Sequence, residues 1–380
     1  MGKYNKQGDC KMINLVLSIR SLDIGGAERQ FIELVENIDK NKFNVLVCTM
    51  YGGVQENIIK NIPNIKYVNL EKKGRYDFVN FYKKYKRVLK DFQPDVIYSF
   101  LGEMNLFSYW CKPKDTKIIW GFRASNMDLE KYGKVPQIMF WLQKYYSKKV
   151  DKIIANSYAS IEFHKQNGFD MSKSLVIHNG IDTNKFKRFN DKREEFRKKH
   201  DLKETDIAIG IVARIDYMKG YIVFVKTIKK LLEKFDNIKV FAVGDGDEKI
   251  KKECEDILGK FNNNRFIWFG NQKNIENIYS GFDIVSSSSS FGEGFSNSIA
   301  EAMSCEIPCV VTDVGDSKII VGDTGIVVEP NNVEQLYQGL ETIIKKDYKE
   351  LGKKARKRVE ENFSIEKMVE KTEEEICAVL

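Results

Sequence analysis

The stretch "FGEGFSNSIAEAM" holds two glutamates, Glu293 and Glu301, eight positions apart on either side of a glycine-flanked turn that runs into an apolar helical pattern. "GFSN" supplies a flexible turn and sets Ser296 at a fitting N-cap position, and Ile299, Ala300, Ala302 and Met303 continue a buried face, so a helix is expected to start near Ser296. A helix start gathers main-chain N–H donors and a positive dipole end, and Gly294 lets a ligand approach the backbone closely. Phosphate is the obvious anion for such a place. Glu301 would lie roughly 7–8 Å along the axis from that start, where a carboxylate serves better as an acceptor for hydroxyls than as a neighbour of phosphate. Glu293, ahead of the helix and on the other side of the phosphate site, is placed to hold hydroxyls as well. The pattern reads as one carboxylate for each sugar flanking a diphosphate. The plainer alternative is a solvated glutamate before a helix and another on its exposed face.

"ARIDYMKG" presents Arg214 and Lys219 across a short turn after an apolar run. Arg offers forked hydrogen bonds and Lys a point charge, a pair able to embrace a diphosphate, although in isolation an Arg and a Lys in a loop are usually just wet. In "SIRSLDIGGAERQ", Gly25 and Gly26 stand between a strand pattern and a helix pattern, where the backbone must turn sharply or pass close to something. The spacing is not GxGxxG, and GxxxxGK[ST] occurs nowhere, which disfavours a nicotinamide enzyme or a P-loop NTPase. "VGDGDE" lacks the third glycine of the dinucleotide fingerprint and reads as a tight strand-to-helix turn. The serines at 286–290 leave room for a ligand at a strand end, or form a low-complexity loop.

These loops need elements to hold them. A chain of 380 residues exceeds what one core usually organises, and 42% hydrophobic residues suffice for two. Short β-branched runs alternate with helical stretches: "KMINLVLSI", "FNVLVCTM", "DVIYSF", "KIIWGF" and "VDKIIANS" come first. After a polar lapse at "HNGIDTNKFKRFN" the alternation restarts with "DIAIGIVARI", "NIKVFAVGDGD", "NRFIWFG", "FDIVSSSSS", "IPCVVTD" and "TGIVVEP". Continuous apolar strands imply parallel sheets covered on both faces, hence two Rossmann-like, doubly wound α/β units in tandem. In such sheets ligands bind beyond the carboxyl ends of the strands, and the charged loops above all follow strands.

Seven cysteines are scattered with no CxxC pair and no histidine at metal-ligand spacing, so a reducing compartment and no structural zinc are expected. The opening "MGKYNKQGDC" lacks the apolar core of a signal peptide, and no stretch approaches membrane-spanning length, so a cytoplasmic protein is expected. Lys plus Arg outnumber Asp plus Glu by 62 to 54, a net +8 that fits phosphates, anionic lipid or nucleic acid equally well.

Taken together, "GGAER", "VDKIIANS", "VIHNGIDTNKF", "VARIDYMKG", "VGDGDE", "EGFSNSIAEAMSCEIPCVVTDVG" and "TGIVVEP" resemble the glycosyltransferases of family 4, in the family's order and over most of the chain. The resemblance implies the GT-B fold, two Rossmann-like domains facing across a cleft: residues 1–180 on the acceptor side, residues 181–362 binding the nucleotide sugar, and a C-terminal helix, 363–380, packing back on the first domain. It implies that Glu293 contacts the donor hexose and Glu301 the ribose, that Arg214 and Lys219 clamp the diphosphate, and that Gly25 and Gly26 lie near the donor phosphate. Gly294, Phe295, Ser296 and Asn297 would border the donor, with Asn271 of "FGNQKN" near the base. Anomeric retention and catalysis without a bound metal or other cofactor also follow from the likeness. Many members carry a histidine on a first-domain loop where this chain reads "WGFRASNMD", with Arg123; His164, His178 and His200 all lie elsewhere. Arg123 is expected to hold a phosphate or an acidic acceptor, and since it cannot act as a base at neutral pH the acceptor proton is expected to leave through the donor phosphate.

The expected activity is transfer of a hexose or N-acetylhexosamine from a UDP- or GDP-sugar to a saccharide acceptor, lipid-linked as often in this family. "EKYGKVPQIMFWLQKYYSKKV" sets Ile138, Met139, Phe140, Trp141 and Leu142 among Lys131, Lys134, Lys144, Lys148 and Lys149, and "YKKYKRVLK" adds a second basic-aromatic helix. They read as peripheral contact with the anionic inner face of the plasma membrane, or as ordinary amphipathic helices covering the first sheet. Three rival functions weigh less. A sugar-nucleotide epimerase of the same architecture needs no acceptor, a glycoside hydrolase needs no cationic clamp, and a nucleic-acid-binding protein would show a recognisable module.

Overall fold

The computed structural model describes residues 12–74, 76–123 and 134–380. Ala124–Asp128 of "WGFRASNMD" and Lys131 lie outside them. The chain divides into two units, one of Met1–Gly180 with Ile365–Leu380 and one of Ile181–Ser364.

The first unit strings together β1 (Ile13–Ile19), α1 (Gly26–Asn37), β2 (Phe43–Thr49), α2 (Glu56–Lys60), β3 (Ile65–Asn69), α3 (Phe78–Phe92), β4 (Val96–Phe100), α4 (Gly102–Cys111), β5 (Lys117–Phe122), α5 (Lys134–Ser147), β6 (Lys152–Ala155), α6 (Tyr158–Gln166) and β7 (Ser174–Val176). Its sheet has the order β3-β2-β1-β4-β5-β6-β7, with every pairing parallel. Side chains alternate between two apolar layers: Leu15, Leu17 and Ile19 of β1 join one, Val16 the other. That is why these strands read as unbroken apolar runs rather than as an alternating pattern.

The second unit follows with α7 (Asn190–Lys199), β8 (Ile207–Val212), α8 (Tyr221–Lys234), β9 (Ile238–Val243), α9 (Glu248–Leu258), β10 (Phe266–Gly270), α10 (Ile275–Tyr279), β11 (Ile284–Ser287), α11 (Asn297–Ser304), β12 (Cys309–Thr312), α12 (Ser317–Val321), β13 (Ile326–Val328), α13 (Val333–Lys345) and α14 (Tyr348–Asn362). Its sheet runs β10-β9-β8-β11-β12-β13, again parallel throughout. In both sheets the strand order reverses once, between β1 and β4 and between β8 and β11. These are the places where loops diverge and leave room for a ligand.

The last helix, α15 (Ile365–Ala378), belongs to the first unit, where Ile365, Met368, Val369 and Ile376 share an apolar layer with Phe31 and Val35 of α1. Buried Gln30 fastens that region by donating to Gly180 O at 2.9 Å and accepting from Gly180 N at 2.7 Å. Phe363 and Ser364, read from the sequence as the start of the returning segment, stay with the second unit. The Phe363 ring meets Phe295 edge-on at 5.4 Å, and its carbonyl accepts from Ile181 N at 2.8 Å. The strands β3 and β7 carry too few apolar residues to stand out in the sequence; they are the two opposite edges of the first sheet, each paired on one side, with β2 and β6. Among the described residues no helix is long and apolar enough to cross a membrane.

One polar knot ties the second unit together. Asp283, buried just before β11, accepts from Arg193 at 2.6 Å and Arg197 at 3.2 Å, one turn apart on α7, and from Ala208 N at 2.9 Å. Removing one member of such a network leaves uncompensated charge in the interior. Asp283→Ala is expected to lower the stability of this unit by roughly 3–5 kcal/mol in denaturant unfolding; a loss under about 1 kcal/mol, the scale of an exposed pair, would show that water already screens the arginines.

Candidate active site

The loops that follow β8 and β11 leave adjacent strands at the sheet reversal, and main-chain contacts press them together. Gly220, at φ 64°, sits where an added Cβ would meet Ser288 O at 2.0 Å. Its left-handed backbone and that approach both exclude a side chain. Ser290 N donates to Met218 O at 2.7 Å, and Ser288 Oγ donates to Lys219 O at 2.9 Å. Gly315, in the loop after β12 at φ 62°, lies as tightly against Glu293 O and Gly294 O, at 2.5 and 2.7 Å from its virtual Cβ. Three strand-end loops thus hold one another by backbone, which leaves their side chains available to define a site.

Across this seam Lys219 Nζ pairs directly with Glu293 Oε1, and Ser289 Oγ donates to the same oxygen at 2.6 Å. Both side chains are largely buried, Lys219 at 19% exposure and Glu293 at 8%. Thr312 of β12 anchors the arrangement from behind by donating to Ser289 O at 2.6 Å. The sequence puts Glu293 on the far side of the anion site; in the structure the carboxylate and the ammonium are direct partners, on a loop that turns at Gly292, φ 80°. Arg214 differs from Lys219. It is 70% exposed and reaches Asp216 Oδ2 through Nε at 2.8 Å and Nη2 at 2.7 Å. An exposed pair of that kind is worth at most about 1 kcal/mol, so the guanidinium can exchange Asp216 for a phosphate at small cost. Asp216 also caps the short 3-10 turn Tyr217–Lys219 by accepting from Lys219 N at 3.0 Å, which orients the lysine.

Glu301 is not on an exposed face of its helix: it is 4% exposed. Tyr279, at the end of α10, lies within 3.2 Å of both Glu301 Oε2 and Ser298 O. Burial first, and the Glu301 carboxylate second, push the Tyr279 hydroxyl well above its usual range, so it stays a proton donor toward Glu301. Ser296 does precede α11, but its side chain makes no cap bond to the helix and instead lies 3.3 Å from Ser298 Oγ. Phe295 turns its ring into the core, which leaves only its main chain for a ligand. Gly294 O accepts from Asp316 N at 3.0 Å, and half-buried Asn297 opens α11. Asn271, exposed after β10, donates its N–H to Asp245 Oδ2 at 2.9 Å, joining "FGNQKN" to "VGDGDE".

In the first unit Gly25 precedes α1 with φ −165°, extended backbone open to any residue, and the atoms nearest its virtual Cβ belong to the flexible Glu28 side chain. Gly26 is the first residue of α1. Arg123 leaves the end of β5 with its guanidinium 4.5 Å above the Phe100 ring, donating to Tyr98 Oη at 2.9 Å and Asn179 Oδ1 at 3.3 Å. Its buried Nε has no hydrogen-bond partner, and among the described residues no carboxylate pairs with it. Among the described residues the groups that hold this half-buried cation are neutral, and an unpaired charge in such surroundings is costly. His164 is no substitute base: it is buried against Phe122, its Nδ1 lies 2.7 Å from Ser160 O, and burial pushes its pKa down to about 4.

Ser289, Asp216, Tyr279, Tyr98 and Asn179 were not legible as site neighbours. Ser289 is one of five consecutive serines, and the others sit inside ordinary apolar or loop segments with no spacing that marks them.

The family description "Glycosyl transferases group 1" matches residues 192–362, and "Glycosyltransferase Family 4" matches residues 24–185. An uncharacterised glycosyltransferase of Methanocaldococcus jannaschii is 24% identical over 70% of this chain, a match that spans 66% of the relative and so stops just short of two thirds of its length. The Campylobacter jejuni N-acetylgalactosamine-N,N'-diacetylbacillosaminyl-diphospho-undecaprenol 4-alpha-N-acetylgalactosaminyltransferase is 25% identical, covering 88% of this chain and 91% of the relative. Among solved structures, Anabaena HepE in complex with UDP superposes with a TM-score of 0.81 at 18% identity, covering 96% of this chain and 100% of that one; the same protein is also solved with UDP-glucose. With a family description matching each half and GT-B structures as neighbours, the chain belongs to the family 4 glycosyltransferases and has the GT-B fold.

Proposed function

We propose that this enzyme transfers a hexose or N-acetylhexosamine from a UDP- or GDP-sugar to a lipid-linked saccharide acceptor, with retention of anomeric configuration, in polysaccharide or glycan assembly at the inner face of the plasma membrane. The observation that carries the reading is the Lys219–Glu293 pair at the sheet reversal, with Arg214 beside it on the same loop. In this reading Lys219 and Arg214 neutralise the diphosphate as it departs, Glu293 accepts hydroxyls of the donor hexose, and Glu301, held by Tyr279, accepts those of the ribose. Gly25, Gly26, the 294–297 segment and Asn271 border the donor. The acceptor oxygen bonds to the anomeric carbon as the bond from that carbon to the diphosphate breaks. The acceptor proton passes to the departing diphosphate oxygen, so no protein base is needed. Arg123 holds an anionic group of the acceptor. A UDP-glucose complex of a structural neighbour and an undecaprenol-linked acceptor in a relative's name support the substrate classes.

Stability measurements with UDP-, GDP- and ADP-sugars select the donor, since a ligand at a hundredfold its Kd adds about 2.7 kcal/mol to the folded state; no effect from any of them would remove the reading. Glu293→Gln is expected to lower kcat by about 100-fold or more while UDP affinity stays near wild type, because the lost contact is to sugar rather than to phosphate. Lys219→Ala should weaken both UDP affinity and turnover. Equal loss of UDP binding in the two variants would assign Glu293 to holding Lys219 alone. Arg123→Ala should raise the acceptor KM about tenfold or more with donor affinity unchanged, and unchanged values of both would take it out of the site.

A further inference from the structure

We propose that the outer face of the first unit built from α3, α4 and α5 docks on an anionic lipid bilayer, and that the groove between these helices takes up a hydrocarbon chain. The proposal deepens the lipid-linked acceptor of the reading above and rests on it for its purpose, since such an acceptor must be met at the bilayer surface. The groove has a volume of about 550 Å³ and is lined by Phe78, Tyr82, Phe107, Trp110, Ile138 and Leu142, among others, with Lys83 contributing its long aliphatic stem.

A helix that merely covers a sheet shows apolar residues inward and polar residues outward. Helix α5 spends Phe140, Gln143 and Ser147 on its buried face. On the other side it exposes Ile138 at 57%, Trp141 at 61% and Tyr145 at 45%, spaced so that they form one stripe beside the groove. Trp141 stacks on Tyr145 at 6.3 Å, and Lys149 and Lys148 lie over the Tyr145 ring at 4.6 and 5.2 Å. On α3, Val79 adds a further apolar side chain at 64% exposure, next to the groove it also lines.

Charge selects the occupant. Residues 78–92 and 134–149 contain nine basic residues and a single acid, Asp91, whereas the whole chain is near balance at 62 to 54. Of those nine, only Lys84 and Arg87 pair with a carboxylate among the described residues. Indole and phenol rings with lysines around them, beside an apolar groove, match the layered chemistry of a bilayer surface: phosphate headgroups outside and hydrocarbon within. An acidic protein or a nucleic acid would satisfy the lysines and leave the groove wet.

The test is sedimentation of the full chain with vesicles of phosphatidylcholine alone and of equimolar phosphatidylcholine and phosphatidylglycerol, at low and high salt. Binding only to the anionic vesicles, weakened by salt, is expected. The double substitution Ile138→Glu with Trp141→Glu should cut partitioning about tenfold or more, and Lys134→Glu with Lys144→Glu should cut it and flatten its salt dependence. Both pairs are to be measured beside thermal stability and UDP-sugar binding, which should not change. No vesicle binding by the wild type, or undiminished binding by the Ile138/Trp141 variant, overturns the proposal. A concentration-dependent dimer that this variant abolishes, without vesicle binding, overturns it too, by giving the face to a second copy. Vesicle binding by a wild type that takes no nucleotide sugar supports docking and overturns the transfer reading instead.

Discussion

A lysine ammonium and a glutamate carboxylate, both mostly out of water, must stay together or leave an uncompensated charge in the second unit. Everything else around Lys219 and Glu293 serves that constraint. Gly220 has no side chain because Ser288 O occupies its place, Gly315 has none because Glu293 O and Gly294 O do, and Thr312 steadies the serine that shares the carboxylate. Glycine at these points is demanded by neighbouring backbone, which makes the site a property of three loops acting together.

Parallel sheets explain why those loops can meet. Each strand end delivers its loop to the same edge, and where strand order reverses the following helices depart to opposite faces. Lys219 and Glu293 are 74 positions apart in the chain, yet β8 and β11 are hydrogen-bonded neighbours. The cations also divide their labour by burial. Lys219 is largely buried and oriented by its carboxylate partner, while exposed Arg214 is held by a weak pair to Asp216 that a phosphate can displace. Arg123 of the first unit is a third case, a half-buried guanidinium that meets, among the described residues, a phenol, an amide and an aromatic face.

The strand-and-helix alternation was readable because strands buried on both faces need unbroken apolar runs, and eleven of the quoted stretches lie on β1, β2, β4 to β6 and β8 to β13. The weak strands β3 and β7 were missed, since their side chains are only partly buried and the pattern fades with burial. The glycosyltransferase family was legible from motif order alone. The surroundings of individual site residues were not: Glu301 looked like a candidate for an exposed helix face and is buried against Tyr279, and Phe295 looked like a donor contact and turns its ring into the core. An eight-residue helix gives too short a period to say which face the neighbours will cover.

By itself, the sequence determined two α/β units, the strand-end loops that carry charge, and the basic, aromatic character of α3 and α5, because hydropathy period and local composition are properties of adjacent residues. Only the tertiary structure decided that Lys219 and Glu293 are partners, that Asp283 gathers two arginines, and that Ile138 and Trp141 are left outside the core. Those outcomes depend on which strands lie side by side and which helix faces find a cover. Long-range packing sets both, and nearby residues in the chain do not encode it.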